Sequence, residues 1–509
     1  MEGVHKKADK HALTITTTTT SVGNKRSMEG VHKRHLISSS LHLLQLLTLC
    51  LSLSFEACIF FSHSTTGRLL PAATCILILL LPIIKQLRMH VYLLDYSCLQ
   101  PPPSFRVPTA GLFEHLSLLD CFDDQSVDFM SKVVAASGMG DETCLPPSLH
   151  YLPPITDHPA CLEEARLLMF PAIDNLFAKT RVEPGDVDLL VVNCSGFCPA
   201  PSLSGIVVNR YALREDVKSF NLSGMGCGAG AIAVDIARGA MLAGSARCAL
   251  LVSTEVVSTG WYAGRDRRKL LLNCFFRMGC SAVLLTNRGE AEKQALYKLV
   301  RLLRTNRAFD DRGYRAGYRK EDEDGITGFS IERDWFDVAP EVLRANVVAL
   351  GRTILPASER LRYMVMSVWR AAAGRKGEKG PAVTVDWRKA IQHFCLPASG
   401  RVVIEKIGKG LGLGDMEMEA ARMTFHRFGN QSSSSMWYQL AYEEAKGRVV
   451  EGERVWQVAL GSGPKCSTLV WECLRRPPAG KVAAAVKGPW ASSIHRYPVT
   501  CDGWESKTD

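Results

Sequence analysis

Short apolar runs bounded by turn residues alternate with amphipathic stretches along most of this chain. The runs at 187–192, 248–253 and 282–285 predict buried strands. Apolar residues at helical spacing predict helices over 163–179 and 229–242, which lie between those strands. This alternation of strand and helix is typical of a layered α/β fold.

A second set of the same kind follows. It comprises helix-like residues 335–350 and 433–446 and strand-like residues 389–395 and 454–460. The sequence therefore predicts two similar α/β halves, an N-terminal half at 91–295 and a C-terminal half at 296–475. Residues 476–509 are interpreted as a C-terminal tail.

The first 35 residues are polar and low in complexity, with a threonine run at 16–20. The hexamer that opens at Met1 recurs at Met28, which suggests a duplicated or mis-assigned start. Such a composition cannot bury enough apolar surface to fold, so a disordered tail is expected over residues 1–35.

A membrane anchor is predicted over residues 36–90, because residues 41–61 and 69–84 form two largely apolar segments. Basic residues flank the pair on its outer sides, whereas the turn between them holds only Arg68. This charge distribution favours a transmembrane hairpin with both ends in the cytosol. One spanning segment with a second interfacial or buried segment is the alternative.

Composition narrows the class of protein further. The 509 residues are 47% hydrophobic and 22% charged, which is typical of a globular protein. The net charge of +10 is spread along the chain without a basic helix, so no nucleic-acid partner is expected. The 17 cysteines are an odd number and widely spaced, which favours reduced thiols. The pairs Cys194/Cys198 and Cys274/Cys280 lack zinc-site spacing and are assigned to packing, so no metal is expected.

The chemical centre of the sequence lies at 217–234, where a strand-like run and a glycine-dense turn precede a helix that starts near Cys227. Backbone N–H groups and the helix dipole at such a junction stabilise a thiolate, so a lowered pKa is predicted for the Cys227 thiol. The flanking glycines leave room for N–H groups to face an oxyanion. Cys227 is therefore a candidate nucleophile.

Two other interpretations of this turn remain open. Cys227 could be a small buried side chain in a tight strand-to-helix turn, as most cysteines of this kind are. Gly224-x-Gly226-x-x-Ala229 also satisfies the relaxed dinucleotide-binding pattern. No acidic residue ends a strand about 20 residues further on, as that pattern requires, which disfavours a dinucleotide-dependent reductase.

Several further blocks occur in a fixed order between about residue 91 and residue 499. They are Val191-Val-Asn-Cys-Ser195, Pro201-Ser-Leu-Ser204, Lys218-Ser-Phe-Asn-Leu222, Gly224-Met-Gly-Cys227, Asn273-Cys-Phe-Phe-Arg-Met-Gly279, His426-Arg-Phe-Gly-Asn430, Ser432-Ser-Ser-Ser435 and Gly461-Ser-Gly463. In these blocks the chain closely resembles the membrane-bound 3-ketoacyl-CoA synthases of plant fatty-acid elongation, condensing enzymes of the thiolase superfamily. The resemblance implies a layered αβαβα core behind the anchor.

The resemblance also implies an activity. A long acyl group passes from coenzyme A to a cysteine, malonyl-CoA loses carbon dioxide, and the resulting enolate attacks the acyl thioester, in very-long-chain fatty acid, wax or cutin-related lipid synthesis. Cys227 matches the nucleophile, Asn430 the enolate-stabilising asparagine, and Gly461, Ser462 and Gly463 an oxyanion or packing loop. Acyl-CoA and malonyl-CoA would be substrates, with no bound cofactor.

The resemblance further implies an endoplasmic reticulum membrane protein whose condensing domain lies on the cytosolic face. A homodimer or a heterodimer with other condensing enzymes is expected, together with elongation-complex subunits as partners. The basic residues Arg265, Arg267, Arg268 and Lys269 are candidates for the coenzyme A phosphates, or else form a solvated face.

The chain departs from the family at two histidine positions. Pro397 stands where the family's His-Phe-Cys-x-His block has its second histidine. Asn306 stands where the family's Thr-His-Lys block has its histidine. Proline offers neither a side-chain donor nor a backbone N–H. The remaining family histidines, His393 and His426, are interpreted as structural. The alternative function is therefore a catalytically impaired paralogue that regulates active synthases by association.

Overall fold

The computed structural model describes residues 89–374, 385–475 and 488–499. All the elements below belong to the unit that begins at His90. The strands of the described residues are β1 (Tyr92–Cys98), β2 (Leu189–Asn193), β3 (Lys218–Leu222), β4 (Cys248–Thr254), β5 (Cys280–Thr286), β6 (Tyr297–Asn306), β7 (Gly317–Glu321), β8 (Thr327–Ile331), β9 (His393–Cys395), β10 (Arg454–Gly461) and β11 (Lys465–Cys473).

The α-helices of the same residues are α1 (Thr109–Ser117), α2 (Asp124–Ala136), α3 (His158–Thr180), α4 (Leu203–Tyr211), α5 (Ala229–Leu242), α6 (Arg267–Phe275), α7 (Asp311–Arg315), α8 (Trp335–Ile354), α9 (Ala357–Gly374), α10 (Arg401–Leu411), α11 (Asp415–Phe428) and α12 (Ser435–Ala445). The apolar periodicity predicted α5 at these bounds and α3, α8 and α12 to within about five residues at each end, but it did not predict the other helices. The strand expected at 389–395 is shorter, because residues 387–389 form a 3-10 turn.

The strands repeat one pattern in two halves. In the described part of the chain, the order across the main sheet is β3-β2-β4-β5-β1-β6-β11-β10-β9. The parallel pair β2 and β4 is followed by antiparallel β5 and β1, and the parallel pair β9 and β10 by antiparallel β11 and β6. The strands of the two halves meet where Tyr92 and Leu93 of β1 pair with Lys298 and Tyr297 of β6. The order and direction of the strands are thus similar on the two sides of the β1–β6 junction.

Two buried helices lie between the halves. Helix α5 contacts β2 and β4 on one side and β10 and β11 on the other, and α12 contacts β1, β9 and β10. Helix α3 covers the outer side of the N-terminal half, and α8 covers β6 and β11 of the other half. Helices therefore lie both between the two halves of the sheet and on their outer sides. Strands β2 and β4 are buried along their whole length, which explains their continuous apolar sequence.

Residues 488–499, which belong to the segment interpreted as a tail, pack on this core. Trp490 is buried, its indole N–H donates to the carbonyl of Tyr438, and its ring contacts Phe428 and Tyr497. The predicted N-terminal tail and both apolar segments of the predicted anchor lie outside the described residues. Among the helices that are described, none combines the length and the apolarity needed to cross a bilayer.

Candidate active site

Cys227 lies in a 3-10 turn, Gly226–Gly228, that leads directly into α5. Gly226 has φ +62°, and a Cβ added there would lie 2.5 Å from the backbone nitrogen of Ser462. A Cβ on Gly461 would lie 2.5 Å from the carbonyl oxygen of Met225. The loop at 461–463 thus covers the turn where a dinucleotide pyrophosphate would need space, so the dinucleotide alternative does not fit.

The thiol of Cys227 is half-buried, and its Sγ lies 3.5 Å from Oγ of Ser432. Burial raises the pKa of the Cys227 thiol to about 11, with a smaller contribution from the negative charge of Glu255, although the Ser432 hydroxyl acts in the opposite direction. The predicted lowering of this pKa is therefore wrong. The helix start is present, but desolvation of the sulfur outweighs it.

Asn430 reaches the same place from the other half of the molecule. It follows α11 after Gly429, and its backbone N–H donates to Phe275 while its carbonyl accepts from Arg277. Its Oδ1 accepts from the backbone N–H of Ser432 at 2.8 Å. This bond leaves the Nδ2 group as the donor that a substrate carbonyl could meet.

Cys227 and Asn430 both line a cavity of about 1010 Å³. Its walls are largely apolar and come mainly from α8, α10 and the β7–β8 hairpin, with Trp335, Phe336, Leu343, Val347, Ile407 and Leu411 as examples. The predicted loop contributes Ser462 and Gly463 to the lining. Among the lining residues that the structure describes, Glu255 is the only carboxylate, and there is no histidine.

The structure places both remaining family histidines away from this lining. His393 Nε2 lies 2.8 Å from Glu453 and its Nδ1 lies 3.5 Å from Glu443. Burial alone would lower the pKa of His393, but the hydrogen bonds to the two carboxylates outweigh burial and raise it. His426 is half-buried, its partial desolvation lowers its pKa, and its ring packs edge-on against Tyr497. These surroundings agree with structural roles.

Pro397 and Asn306, the two residues that replace family histidines, lie beside the cavity. Pro397 is buried after β9, and its carbonyl accepts from the N–H of Ser399, which lines the cavity. Asn306 lines the cavity at the end of β6, and its Oδ1 accepts from the N–H of Ala308 at 2.9 Å. Neither position supplies a base to Cys227.

The four residues of the basic run do not line this cavity, although Arg265, Arg267 and Arg268 are exposed. Lys269 is fully buried over the ring of Tyr262, and Arg268 pairs with Asp266 and Glu332. Arg265 lies 3.9 Å from Asp123, and Arg267 stacks over Phe129. The cations on the cavity wall are instead Arg319, Arg344, Lys406 and Lys465.

Sequence reasoning missed Glu255, which follows β4 directly. Its Oε1 accepts from the backbone N–H of Gly196 at 2.7 Å, and its Oε2 lies 3.0 Å from Oγ of Ser432. The Cys194 thiol also donates to this carboxylate at 3.5 Å. An acidic residue directly after a buried strand was the available signal, but its partner Ser432 is 177 residues away in sequence.

Comparison with known proteins decides the family. Residues 83–372 match the family described as FAE1/Type III polyketide synthase-like protein, and residues 387–473 match the 3-oxoacyl-[acyl-carrier-protein] synthase III C-terminal family. The chain is 46% identical to 3-ketoacyl-CoA synthase 6 of Arabidopsis thaliana over 409 residues, which cover 80% of this chain and 81% of that protein. It is 45% identical to 3-ketoacyl-CoA synthase 4 of the same plant, over 81% of this chain and 78% of that protein. The chain belongs to the 3-ketoacyl-CoA synthase family.

Solved structures support the fold of this 3-ketoacyl-CoA synthase family member. The fungal type III polyketide synthase ORAS aligns with a TM-score of 0.59 at 17% identity, over 75% of this chain and 99% of that structure. The 1,3,6,8-tetrahydroxynaphthalene synthase of Streptomyces coelicolor aligns with a TM-score of 0.55 at 15% identity, over 75% and 99%. The predicted thiolase-like α/β fold is thereby confirmed.

Proposed function

We propose that this chain is an acyltransferase that condenses a long-chain acyl-CoA with malonyl-CoA in very-long-chain fatty acid elongation. The observation that carries the proposal is the meeting of Cys227 and Asn430, from opposite halves of the fold, on one largely apolar cavity. A nucleophile, an amide donor and an apolar chamber are the groups that a decarboxylative condensation on an acyl-cysteine needs.

In the first half-reaction, the sulfur of Cys227 attacks the acyl thioester and releases coenzyme A. The negative charge then develops on the thioester oxygen, which needs N–H donors placed in advance. The backbone N–H of Cys227 and those of the loop at 461–463, which packs directly on the Cys227 turn, are the candidates. The apolar walls from α8 and α10 suit the acyl chain.

In the second half-reaction, malonyl-CoA loses carbon dioxide, and the enolate attacks the acyl group on Cys227. Asn430 is the proposed donor to the malonyl thioester oxygen, because its Oδ1 is held by Ser432 and its Nδ2 can therefore donate. Arg344 and Lys406 are exposed on the cavity wall and are candidates for the coenzyme A phosphates.

Attachment to the endoplasmic reticulum membrane, with the condensing unit in the cytosol, is part of the proposal. The two apolar segments at 41–61 and 69–84 and their outer basic residues support it. Helix α9 adds support, because exposed apolar and basic side chains alternate along it as in interfacial helices: Arg360, Leu361, Val365, Val368, Trp369 and Arg370. Carbonate extraction and protease protection of microsomes test the attachment and its orientation.

A dimer with another condensing enzyme, and contact with elongation-complex subunits, also belong to the proposal. Among the described strands, β3 pairs only with β2 and lies at the sheet edge, where Phe220 is 47% exposed. An edge strand of this kind can pair with a second copy. Co-purification of two differently tagged copies tests the contact, with a Phe220→Lys variant expected to weaken it.

Pro397 favours a second candidate function. In it, the chain is a catalytically impaired paralogue that loads acyl groups poorly or fails to condense them, and it regulates active synthases by association. Losing one electrostatic donor costs about 10²–10³ in rate. The two candidates separate when acyl-Cys227 and 3-ketoacyl-CoA are scored in one microsomal assay with labelled acyl-CoA. Product supports the synthase, whereas acyl-Cys227 without product supports the regulator.

A further inference from the structure

Three side chains form a continuous hydrogen-bonded line at the nucleophile. Cys227 Sγ lies 3.5 Å from Ser432 Oγ, and Ser432 Oγ lies 3.0 Å from Oε2 of Glu255. Ser432 has φ +55°, a left-handed backbone conformation that is unfavourable for residues other than glycine. The hydroxyl is therefore held at this place against a local backbone cost.

The single proton of the Ser432 hydroxyl cannot serve both neighbours at once. Both contacts have Ser432 Oγ in the donor position. Because the carboxylate is the stronger acceptor, the one O–H is assigned to Glu255, which leaves the Ser432 oxygen able to accept from the Cys227 thiol. This polarity, S–H to O–H to carboxylate, is the one that a proton transfer away from sulfur requires.

The site needs a proton acceptor. The raised pKa of Cys227 means that its thiol is almost entirely protonated at neutral pH. Pro397 carries no base, and among the cavity-lining residues that the structure describes Glu255 is the only carboxylate and no histidine is present. Burial raises the pKa of Glu255, although hydrogen bonds from Gly196 and Ser432 oppose this, so the group is a better base near neutral pH than an exposed glutamate.

We propose that Glu255 accepts the Cys227 proton through the Ser432 hydroxyl during acyl loading. The proposal rests on the proposed function. As sulfur bonds to the acyl carbon, the thiol proton passes to Ser432 Oγ and the hydroxyl proton of Ser432 passes to Glu255. The bond between the acyl carbon and coenzyme A sulfur then breaks, and Glu255 returns the proton by the same path to the departing thiolate. Cys–SH and acyl-S-CoA thus become acyl-S-Cys and CoA-SH.

Other charged groups around Glu255 do not replace it in this role. Glu164 is buried beside the loop that follows Glu255, and its carboxylate accepts from the backbone N–H groups of Val257 and Ser258 in that loop. Cys194 donates its thiol proton toward Glu255, and Arg319 binds the carbonyls of Gly196 and Thr259. None of these three has a hydrogen bond to Cys227 or Ser432 in the described structure.

The test is the pH dependence of acyl loading on the full-length protein in microsomes, with labelled stearoyl-CoA, rapid quenching and mass spectrometry of the Cys227 peptide. Wild type should load at a rate that is nearly level from pH 7 to 9. Glu255→Gln and Ser432→Gly should be about 10²-fold slower at pH 7, and rise about tenfold per pH unit as hydroxide replaces the lost base. Glycine suits the left-handed backbone at 432, so this variant removes the hydroxyl without adding strain.

Glu164→Gln is the matched control, because it removes a buried carboxylate beside the same loop and should keep the wild-type pH profile. Variants slowed equally at every pH, or unchanged, would overturn the relay and leave Glu255 a structural residue. Absence of loading in wild type would instead defeat the proposed function. If Glu255→Gln does not fold, Ser432→Gly decides the question alone, with Cys227 alkylation at pH 10 as the check that its site is intact.

Discussion

The ionisation of Cys227 gives a prediction whose size follows from the structure. With a pKa of about 11, about one thiol in a thousand is ionised at pH 8, whereas about a quarter of ordinary thiols with a pKa near 8.5 are. Iodoacetamide consumes only thiolate. Cys227 should therefore be alkylated about two hundredfold more slowly in the folded protein than in the urea-unfolded chain at pH 8, with a rate that rises about tenfold per pH unit up to pH 10.

The assay is timed alkylation followed by mass spectrometry of the Cys227 peptide. Cys198 is exposed and is followed in the same digest, so that any loss of reagent at high pH is detected. The dependence of the alkylation rate on pH is the decisive quantity, because limited access of iodoacetamide to Cys227 would slow the reaction equally at every pH. A rate that levels off below pH 8 would refute the reasoning and support the lowered pKa that a helix terminus predicts.

Three further predictions concern the surroundings of the nucleophile. Gly226→Ala should cost about 2–4 kcal/mol in urea unfolding, since it adds strain at φ +62° and a clash 2.5 Å from Ser462, whereas Gly224→Ala, with φ +68° and open space, should cost only about 1 kcal/mol; equal costs would contradict the close contact. Pro397→His should raise 3-ketoacyl-CoA formation about 10²–10³-fold and acyl loading much less; equal gains in both steps would place its effect elsewhere. His393 has a raised pKa, so its pairing contributes fully below about pH 6.5 and is lost as pH rises through its folded pKa. The excess Tm of wild type over His393→Gln should therefore shrink between pH 6 and 8.5, and a constant difference would argue against pairing.

Much of the fold could be predicted because its signals are local. Strands β2 and β4 are visible in the sequence as continuous apolar runs because they are buried along their whole length, and α5 is visible as a run of small residues whose first turns are buried. The packing of Trp490 was not visible, because it rests on a few aromatic contacts with distant residues such as Tyr438 rather than on a periodic pattern.

The site divides in the same way. The glycine-rich turn marked Cys227, and family resemblance marked Asn430. The direction of the Cys227 pKa depends on burial and on Glu255, which only folding brings near the sulfur. The line through Ser432 joins residues 177 positions apart, so no local pattern could announce it.

The central claim is that an acyl group passes through Cys227 to a 3-ketoacyl-CoA product. The most direct test incubates microsomes that contain the full-length protein with labelled stearoyl-CoA and malonyl-CoA, and measures acyl-Cys227 and 3-ketoacyl-CoA together, with Cys227→Ser as the blank. We predict label on Cys227 and a product that requires malonyl-CoA. Product without acyl-Cys227, or product that persists in Cys227→Ser, would contradict the account.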